Sequence, residues 1–384
     1  MRGMLVAHIA DTHLGAMQYG VESREVDVYE CFREAVAKML EEHVRVVLHS
    51  GDTFHSPRPS IRALKVFQEE LKKLRDSGIK VYAIPGGHDM LRRRGLSPLA
   101  LFDYLGLVML SRKNPVVKRD DLIIAGVEYI PAAFKGDLLS QLARIEAVVR
   151  GECGRKKILL LHQALREAYP PAYELSLREM PRCFNYYALG HIHQSRVINV
   201  GDLTAAYPGA IEFFDVQEVV KGGSRGFYIV DISTREPELH FIELESVRPQ
   251  LVYRVGYERL ASEKERILAE VYKLSSRKKP VIHLRVVGRG IERGRVDRLV
   301  VKPLSKHSLL VRVHVVEEGG ESIEALENLS VEGLLRAKLR DPALASFAMR
   351  IVELLSRGGD EALKEAVKEA EKIFEEGLWR RWRK

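Results

Sequence analysis

The chain has 384 residues, a formal net charge of +8 and a pI near 9.2, with 46% hydrophobic and 30% charged residues. That length suggests two or three domains and is ample for a buried core, and the composition excludes global disorder. The charge excess favours an acidic partner such as nucleic acid, although many proteins of this charge bind none, and no apolar run approaches the ~20 residues that span a bilayer.

Residues 4–10 are apolar apart from His8 and end at Asp11. The stretch is too short for a signal peptide and reads as a first strand, 5–10. Tyr29, Phe32, Val36, Met39 and Leu40 fall on one face of a helix. A strand follows at 44–48, and Leu64, Phe67, Leu71 and Leu74 mark a second helix. Strands continue at 81–84, 124–127, 158–161, 187–189 and 227–232. The pattern predicts an α/β domain over 1–250 whose strands are buried between helices.

Around Arg248-Pro249 the pattern changes. Strands at 251–255 and 281–286, a helix through Ile267, Val271 and Leu274, and an alternating run at 307–315 predict a small α+β domain over 251–320. Residues 321–384 read as helical, punctuated by Gly319-Gly320 and Gly358-Gly359. Leu363, Ala366, Val367, Ala370, Ile373, Phe374 and Leu378 step by threes and fours, so one face is apolar and the other carries Lys and Glu. The segment ends Trp379-Arg380-Arg381-Trp382-Arg383-Lys384. The three cysteines, Cys31, Cys153 and Cys183, form no CxxC pair, which points to a reducing compartment and a cytoplasmic protein. Scarce Asn and Gln beside abundant Arg, Lys and Glu is the balance of a hyperthermophile.

Five short motifs carry the chemistry: Asp11-Thr12-His13, Gly51-Asp52, Gly86-Gly87-His88-Asp89, His162 and Gly190-His191-Ile192-His193. Most follow a predicted strand directly, and residues just past the carboxyl ends of strands gather at one edge of an α/β sheet. Asp11 and His13 are two apart and can point the same way, as can His191 and His193. Glycines at 51, 86 and 190 permit sharp turns and close approach to an ion. Imidazole mixed with carboxylate suits Mn²⁺, Zn²⁺ or Fe better than Ca²⁺, and the two oxygens of Asp52 allow it to bridge two ions. Two cations about 3.5–4 Å apart clamp a phosphate, lower the pKa of a water and steady a leaving oxygen.

This set resembles the calcineurin-like metallophosphoesterases. The stretches His8-Ile9-Ala10-Asp11-Thr12-His13-Leu14-Gly15, Ser50-Gly51-Asp52-Thr53-Phe54-His55-Ser56 and Tyr187-Ala188-Leu189-Gly190-His191-Ile192-His193 are similar to the SbcD nucleases, the meiotic recombination eleven family of archaea and eukaryotes. Tyr207-Pro208-Gly209-Ala210 and Gly226-Phe227-Tyr228-Ile229-Val230-Asp231 fit the same subfamily. The resemblance covers roughly residues 5–250, and the C-terminal third fits by layout only. It implies an α/β metallophosphoesterase β-sandwich flanked by helices, a DNA-binding cap at 251–320 and, at 321–384, a helical segment that binds an SMC-like coiled-coil ATPase of the SbcC type. It further implies a homodimer, with residues near 61–74 and 96–105 as dimer helices, acting on DNA ends without a membrane.

By that resemblance two Mn²⁺ bind per subunit. Asp11, His13 and His193 hold one, His162 and His191 the other, and Asp52 bridges them. His88 is the general acid or transition-state stabiliser, His55 positions the phosphate or rearranges the substrate, and a metal-activated water is the nucleophile. The implied activity is phosphodiester hydrolysis on DNA, endo- or exonucleolytic, in double-strand-break repair. One departure stands out: the family usually has Gly-Asn-His at this turn, with the Asn oxygen on the second metal, and here position 87 is Gly87. A water or a backbone carbonyl is left to fill that place, with a weaker second site as the expected consequence.

His8, His43 and His49 read as ordinary core or surface histidines. Arg92-Arg93-Arg94 reads equally as a DNA-backbone track or a solvated loop, and the Arg/Trp tail as a stacking or docking element or a fraying terminus. Protein phosphatases of the superfamily usually follow Gly-Asp with a second Asp and an Arg, unlike Thr53-Phe54-His55-Ser56 here. A cyclic-nucleotide phosphodiesterase and a catalytically weak DNA-end tether stay open as alternatives.

Overall fold

A computed structural model describes residues 4–90, 96–119, 121–152, 154–234, 236–275, 277–317, 335, 339, 341–356 and 359–375. The arginine run at 92–94, Cys153, the glycines at 319, 320 and 358, Leu378 and the Arg/Trp tail lie outside the described residues. The chain divides into two compact units, Met1–Ile130 with Gly136–Arg248, and Pro131–Lys135 with Pro249–Lys384.

In the first unit the elements run β1 (Leu5–Ile9), α1 (Glu22–Glu41), β2 (Val46–His49), α2 (Ile61–Asp76), β3 (Lys80–Ala83), β4 (Leu107–Met109), β5 (Val116–Lys118), β6 (Leu122–Val127), α3 (Lys135–Val149), β7 (Lys156–His162), β8 (Tyr186–Gly190), β9 (Arg196–Val200), β10 (Leu203–Tyr207), α4 (Val216–Lys221), β11 (Gly226–Asp231) and β12 (Glu238–Glu243). They build two six-stranded sheets, ordered β12-β11-β1-β2-β3-β4 and β5-β6-β7-β8-β10-β9. Strands β1 to β4 pair in parallel, as do β6, β7, β8 and β10, and antiparallel strands close the edges.

Alternation along the central strands explains the layering, because successive side chains leave a strand on opposite faces. Val6, Leu48, Tyr82, Ile124, Leu160 and Ala188 form one core. Their neighbours Ala7, Ile9, Val47, Val81 and Ala83 pack with Phe32, Val36, Phe67 and Leu71 of α1 and α2. On the other sheet Leu159, Leu161, Tyr187 and Leu189 pack with Leu138, Leu142, Ile145 and Val149 of α3. Burying a large apolar side chain contributes about 1.5–3 kcal/mol, so the central strands have little freedom to slip. Helix α2 starts where Ser60 Oγ accepts from the Ala63 N–H at 3.1 Å, the N-cap bond that satisfies an otherwise orphaned donor.

The second unit contains β13 (Gln250–Gly256), α5 (Leu260–Leu274), β14 (Val281–Gly288), a helical stretch Arg293–Val296, Asp297–Val301 and Lys302–Ser305, and β15 (Leu310–Glu317). All three strands pair in parallel, in the order β13-β14-β15. The unit is therefore α/β in its connections, where the sequence pattern predicts α+β. The difference comes from the helical stretch, which buries Val296, Val300 and Leu304 at steps of four in an Arg-rich segment to which the sequence pattern assigns no element. Helices α6 (Pro342–Ser356) and α7 (Gly359–Glu375) follow.

Candidate metal centre

The site residues come from the carboxyl ends of five strands. Asp11 and His13 follow β1, Asp52 follows β2, His88 follows β3, His162 ends β7, and His191 and His193 follow β8. Backbone bonds stitch two of these turns together: Asp11 N–H donates to Gly51 O and His13 N–H to Asp52 O, both at 3.0 Å. Asp89, fully buried, accepts from the N–H groups of Thr53, Phe54 and Gly86 at 2.8–3.0 Å and so locks the third turn to the second.

Asp11, His13, Asp52 and His191 all have positive φ, at 51°, 44°, 52° and 89°. Such left-handed geometry costs an L-residue about 1–2 kcal/mol, and here it clusters at one site, as strained backbone at functional turns does. Gly51 has φ +92°, and a Cβ there would run into the His162 ring. A Cβ on Gly190 would collide with the Ser50 carbonyl. The glycines let the two sheets bring their turns within ligand distance.

Three groups of potential ligand atoms lie mutually within 4.8 Å: Asp11, His13 and His193; Asp11, Asp52 and His162; and His13, His55 and His88. His13 Nε2 stands 3.1 Å from His193 Nε2 and 3.8 Å from Asp52 Oδ2, and His162 Nε2 stands 3.2 Å from Asp52 Oδ2. His193 Nε2 is 3.7 Å from Asp11 Oδ1. His191 joins the cluster more loosely: its ring centre is 5.1 Å from that of His162, and its N–H donates to both Asp11 oxygens at 3.1–3.2 Å.

Tautomers follow from the second partner of each ring. His162 Nδ1 stands 2.7 Å from Ser50 O, which only accepts, so Nδ1 carries the hydrogen. The buried Nε2 meets no hydrogen-bond geometry and faces Asp52 Oδ2 at 3.2 Å. His193 Nδ1 meets Glu218 Oε1 at 2.7 Å, and Glu218 Oε2 accepts from Arg225 Nη2 at 2.9 Å. Arg225 also donates to the His193 carbonyl. His88 Nδ1 donates to His55 O at 2.9 Å, and the His88 N–H donates to Asp52 Oδ1 at 2.7 Å.

Electrostatics agree with a cation site. Burial works against ionising Asp52, but the neighbouring His162 and His13 hold its carboxyl well below the usual range. Burial likewise opposes charge on His162, and Asp52 beside it raises that pKa to about 10. Burial, with His162 next to it, lowers His191 to about 3, and burial also depresses His13 and His55. Burial, reinforced by Asp52, raises Asp11 against the pull of His162 and His193. Imidazole nitrogens converging around two buried carboxylates fit divalent transition ions, with deprotonation of His162 coupled to binding.

Residues 4–235 match the calcineurin-like phosphoesterase superfamily domain. Among curated proteins the chain is 32% identical over 337 residues to the DNA double-strand break repair protein Mre11 of Saccharolobus solfataricus, covering 85% of this chain and 84% of that one. The chain belongs to the Mre11 family of calcineurin-like phosphoesterases. The Mre11 of Methanocaldococcus jannaschii is 39% identical over 245 residues, or 62% of this chain and 66% of its own length. That of Thermoplasma acidophilum is 30% identical over 90% of this chain and 92% of its own.

Several contributors to the Mre11-type site carried no short motif. Glu218 and Arg225 lie in and after α4, and Phe214 packs edge-on against His13 with ring centres 4.9 Å apart. The turn before α4 is held by buried Arg24, which donates to Asp27, Glu212 and the Phe213 carbonyl at 2.6–3.2 Å. Tyr129 and Glu174 border His191. Periodicity cannot flag such residues, because Tyr129, Glu174, Phe214 and Arg225 belong to loops and Glu218 to a short helix. His8 and His49 are buried and hydrogen-bonded to Tyr186, Ser50, Thr12 and Thr53, as expected of core histidines.

Proposed function

We propose that this chain is a manganese-dependent DNA nuclease acting in double-strand-break repair. The observation that carries the reading is the convergence of Asp11, His13 and His193, and of Asp11, Asp52 and His162, in two overlapping ligand groups beside His55 and His88. Curated relatives are named as DNA double-strand break repair proteins. In this reading Asp11, His13 and His193 would hold one Mn²⁺ and His162 and His191 the second, with Asp52 placed to serve both. Two bound cations supply the charge that clamps a phosphate and acidifies a water.

The chain's own residues do the rest. Glu218 fixes the His193 tautomer so that Nε2 faces its ligand, and Ser50 O does the same for His162. His88 has Nδ1 committed to His55 O, which leaves Nε2 to hold a proton for the leaving oxygen. The bond from His88 N–H to Asp52 Oδ1 keeps that acid in register with the bridging carboxylate, and His55 stacks on the His88 ring at 5.4 Å.

Other surfaces support the wider reading. Across the parallel sheet of the second unit, Arg254, Arg285 and His314 share one register row, and Arg312 lies in the row two residues away. Alternation puts both rows on the same sheet face, a basic surface suited to a phosphate backbone. The unit from residue 251 is proposed to contact DNA as a cap. Ile61, Leu101 and Tyr104 are 85%, 61% and 61% exposed on α2 and the 3-10 helix Pro98–Leu105, and Leu96 precedes that helix, which supports a homodimer contact. Leu363, Val367 and Phe374 of α7 are exposed on one helical face, as a segment docking on a coiled-coil ATPase requires. The compartment proposed is the cytoplasm, at the nucleoid.

The test is cleavage of end-labelled linear DNA across a Mn²⁺ series. His88→Ala is expected to cut the rate by about 10²–10⁴-fold with metal still bound, and Asp52→Ala to abolish both cleavage and metal bridging. Intact cleavage in either variant contradicts the assigned roles. The absence of a side-chain donor at Gly87 favours one rival, a DNA-end tether, for which the wild type binds DNA and leaves it uncut at every Mn²⁺ concentration.

A further inference from the structure

Resting on the metal-centre reading above, we infer that Glu174 completes the second metal position in place of the side chain missing at residue 87. The first position has four donors within reach, from Asp11, His13, His193 and Asp52. The second has Asp52, His162 and His191, one short of the four a transition ion takes at minimum. Gly87 offers no side-chain atom, and a Cβ built there would already touch the Tyr129 ring at 3.4 Å. The space beside the turn is filled by Tyr129, whose own N–H is tied to Pro85 O at 2.9 Å.

Glu174 stands beside His191, and like Gly87 it borders Tyr129. Its Oε1 lies 3.9 Å from His191 Nε2. Two donor atoms each about 2.1 Å from one ion are separated by no more than about 4.2 Å, so this spacing is within reach of a shared ion. The residue is 8% exposed and its carboxylate is held from two sides: Tyr129 OH donates to Oε1 at 3.3 Å, and Ala164 N–H donates to Oε2 at 2.7 Å. Ala164 is two residues past His162, and the backbones pair directly, with Glu174 N–H donating to Ala164 O at 3.1 Å and Arg166 N–H to Leu175 O at 2.9 Å. Glu174 is thus rigidly tied to the turn that carries His162. The fully buried Nε2 of His162, which meets no hydrogen-bond geometry and faces Asp52 Oδ2 at 3.2 Å, is the independent sign that this pocket expects a cation.

The experiment is calorimetric titration of the full chain with MnCl₂, for wild type, Glu174→Gln and Glu174→Ala. Gln keeps an oxygen for the Ala164 N–H, so the fold is retained even where Ala disturbs it. The wild type binds two ions, and both variants lose at least about tenfold in affinity at the weaker step while the tighter step is unchanged. Folded variants that bind two ions with wild-type affinities overturn the inference and leave the metal-centre reading standing. A wild type that binds no manganese overturns both.

Discussion

Glu218 Oε1 lies 2.7 Å from His193 Nδ1, and the other Glu218 oxygen accepts from Arg225. A carboxylate, a histidine and a metal in line is a common way to fix an imidazole's tautomer and raise its basicity. Burial works against charge on His193, yet Glu218 and Asp11 still raise its pKa. Glu218→Gln is therefore expected to weaken the first metal position by about 10–100-fold, measured by calorimetry. An unchanged affinity shows that the glutamate serves the fold alone.

Metal binding is expected to release protons. His162 carries a proton below its raised pKa of about 10, and the incoming cation must displace it. Affinity therefore rises with pH up to about 10 and falls as pH drops, by about tenfold per unit from this one group. His191, lowered to about 3, is already neutral at pH 7 and adds no such slope. Calorimetry in two buffers of different ionisation heat counts the protons, and a count of zero at pH 7 contradicts the assignment.

Gly51→Ala is expected to destabilise the protein and disrupt the site together. Residue 51 sits at φ +92° with the His162 ring against it. Backbone strain alone is about 1–3 kcal/mol, and His162 has to move as well. Denaturant unfolding and Mn²⁺ titration read the two effects, and a variant matching wild type in both shows that the turn tolerates a Cβ.

Asp27→Ala is expected to cost about 3–5 kcal/mol. Asp27 is fully buried and accepts from Arg24 and from Arg248 at 2.6–2.8 Å. Its removal leaves two guanidinium groups short of an anion inside the first unit. Chemical denaturation measures the loss, and a change below 1 kcal/mol would make the network equivalent to a surface pair.

The central strands and the amphipathic helices α1 and α2 were legible because their alternation and their steps of three and four follow directly from burial. Strands β4, β5, β9, β10 and β12 were not: most lie at or near sheet edges, and β10 reads Leu-Thr-Ala-Ala-Tyr, with little β-branched content. In the site, residues that follow a strand were visible as motifs. Glu218, Arg225, Tyr129 and Glu174 were not, since they reach the centre from loops and a short helix whose path depends on packing elsewhere. The parallel connection in the second unit was hidden for the same reason, its crossover being carried by an Arg-rich helical stretch.

Manganese-soaked crystals, with the ions located by anomalous scattering at the Mn edge, test the central claim most directly. The account predicts two peaks per chain, one among Asp11, His13, His193 and Asp52 and one among Asp52, His162, His191 and Glu174. No peak at these side chains, or manganese bound elsewhere on the chain, contradicts it.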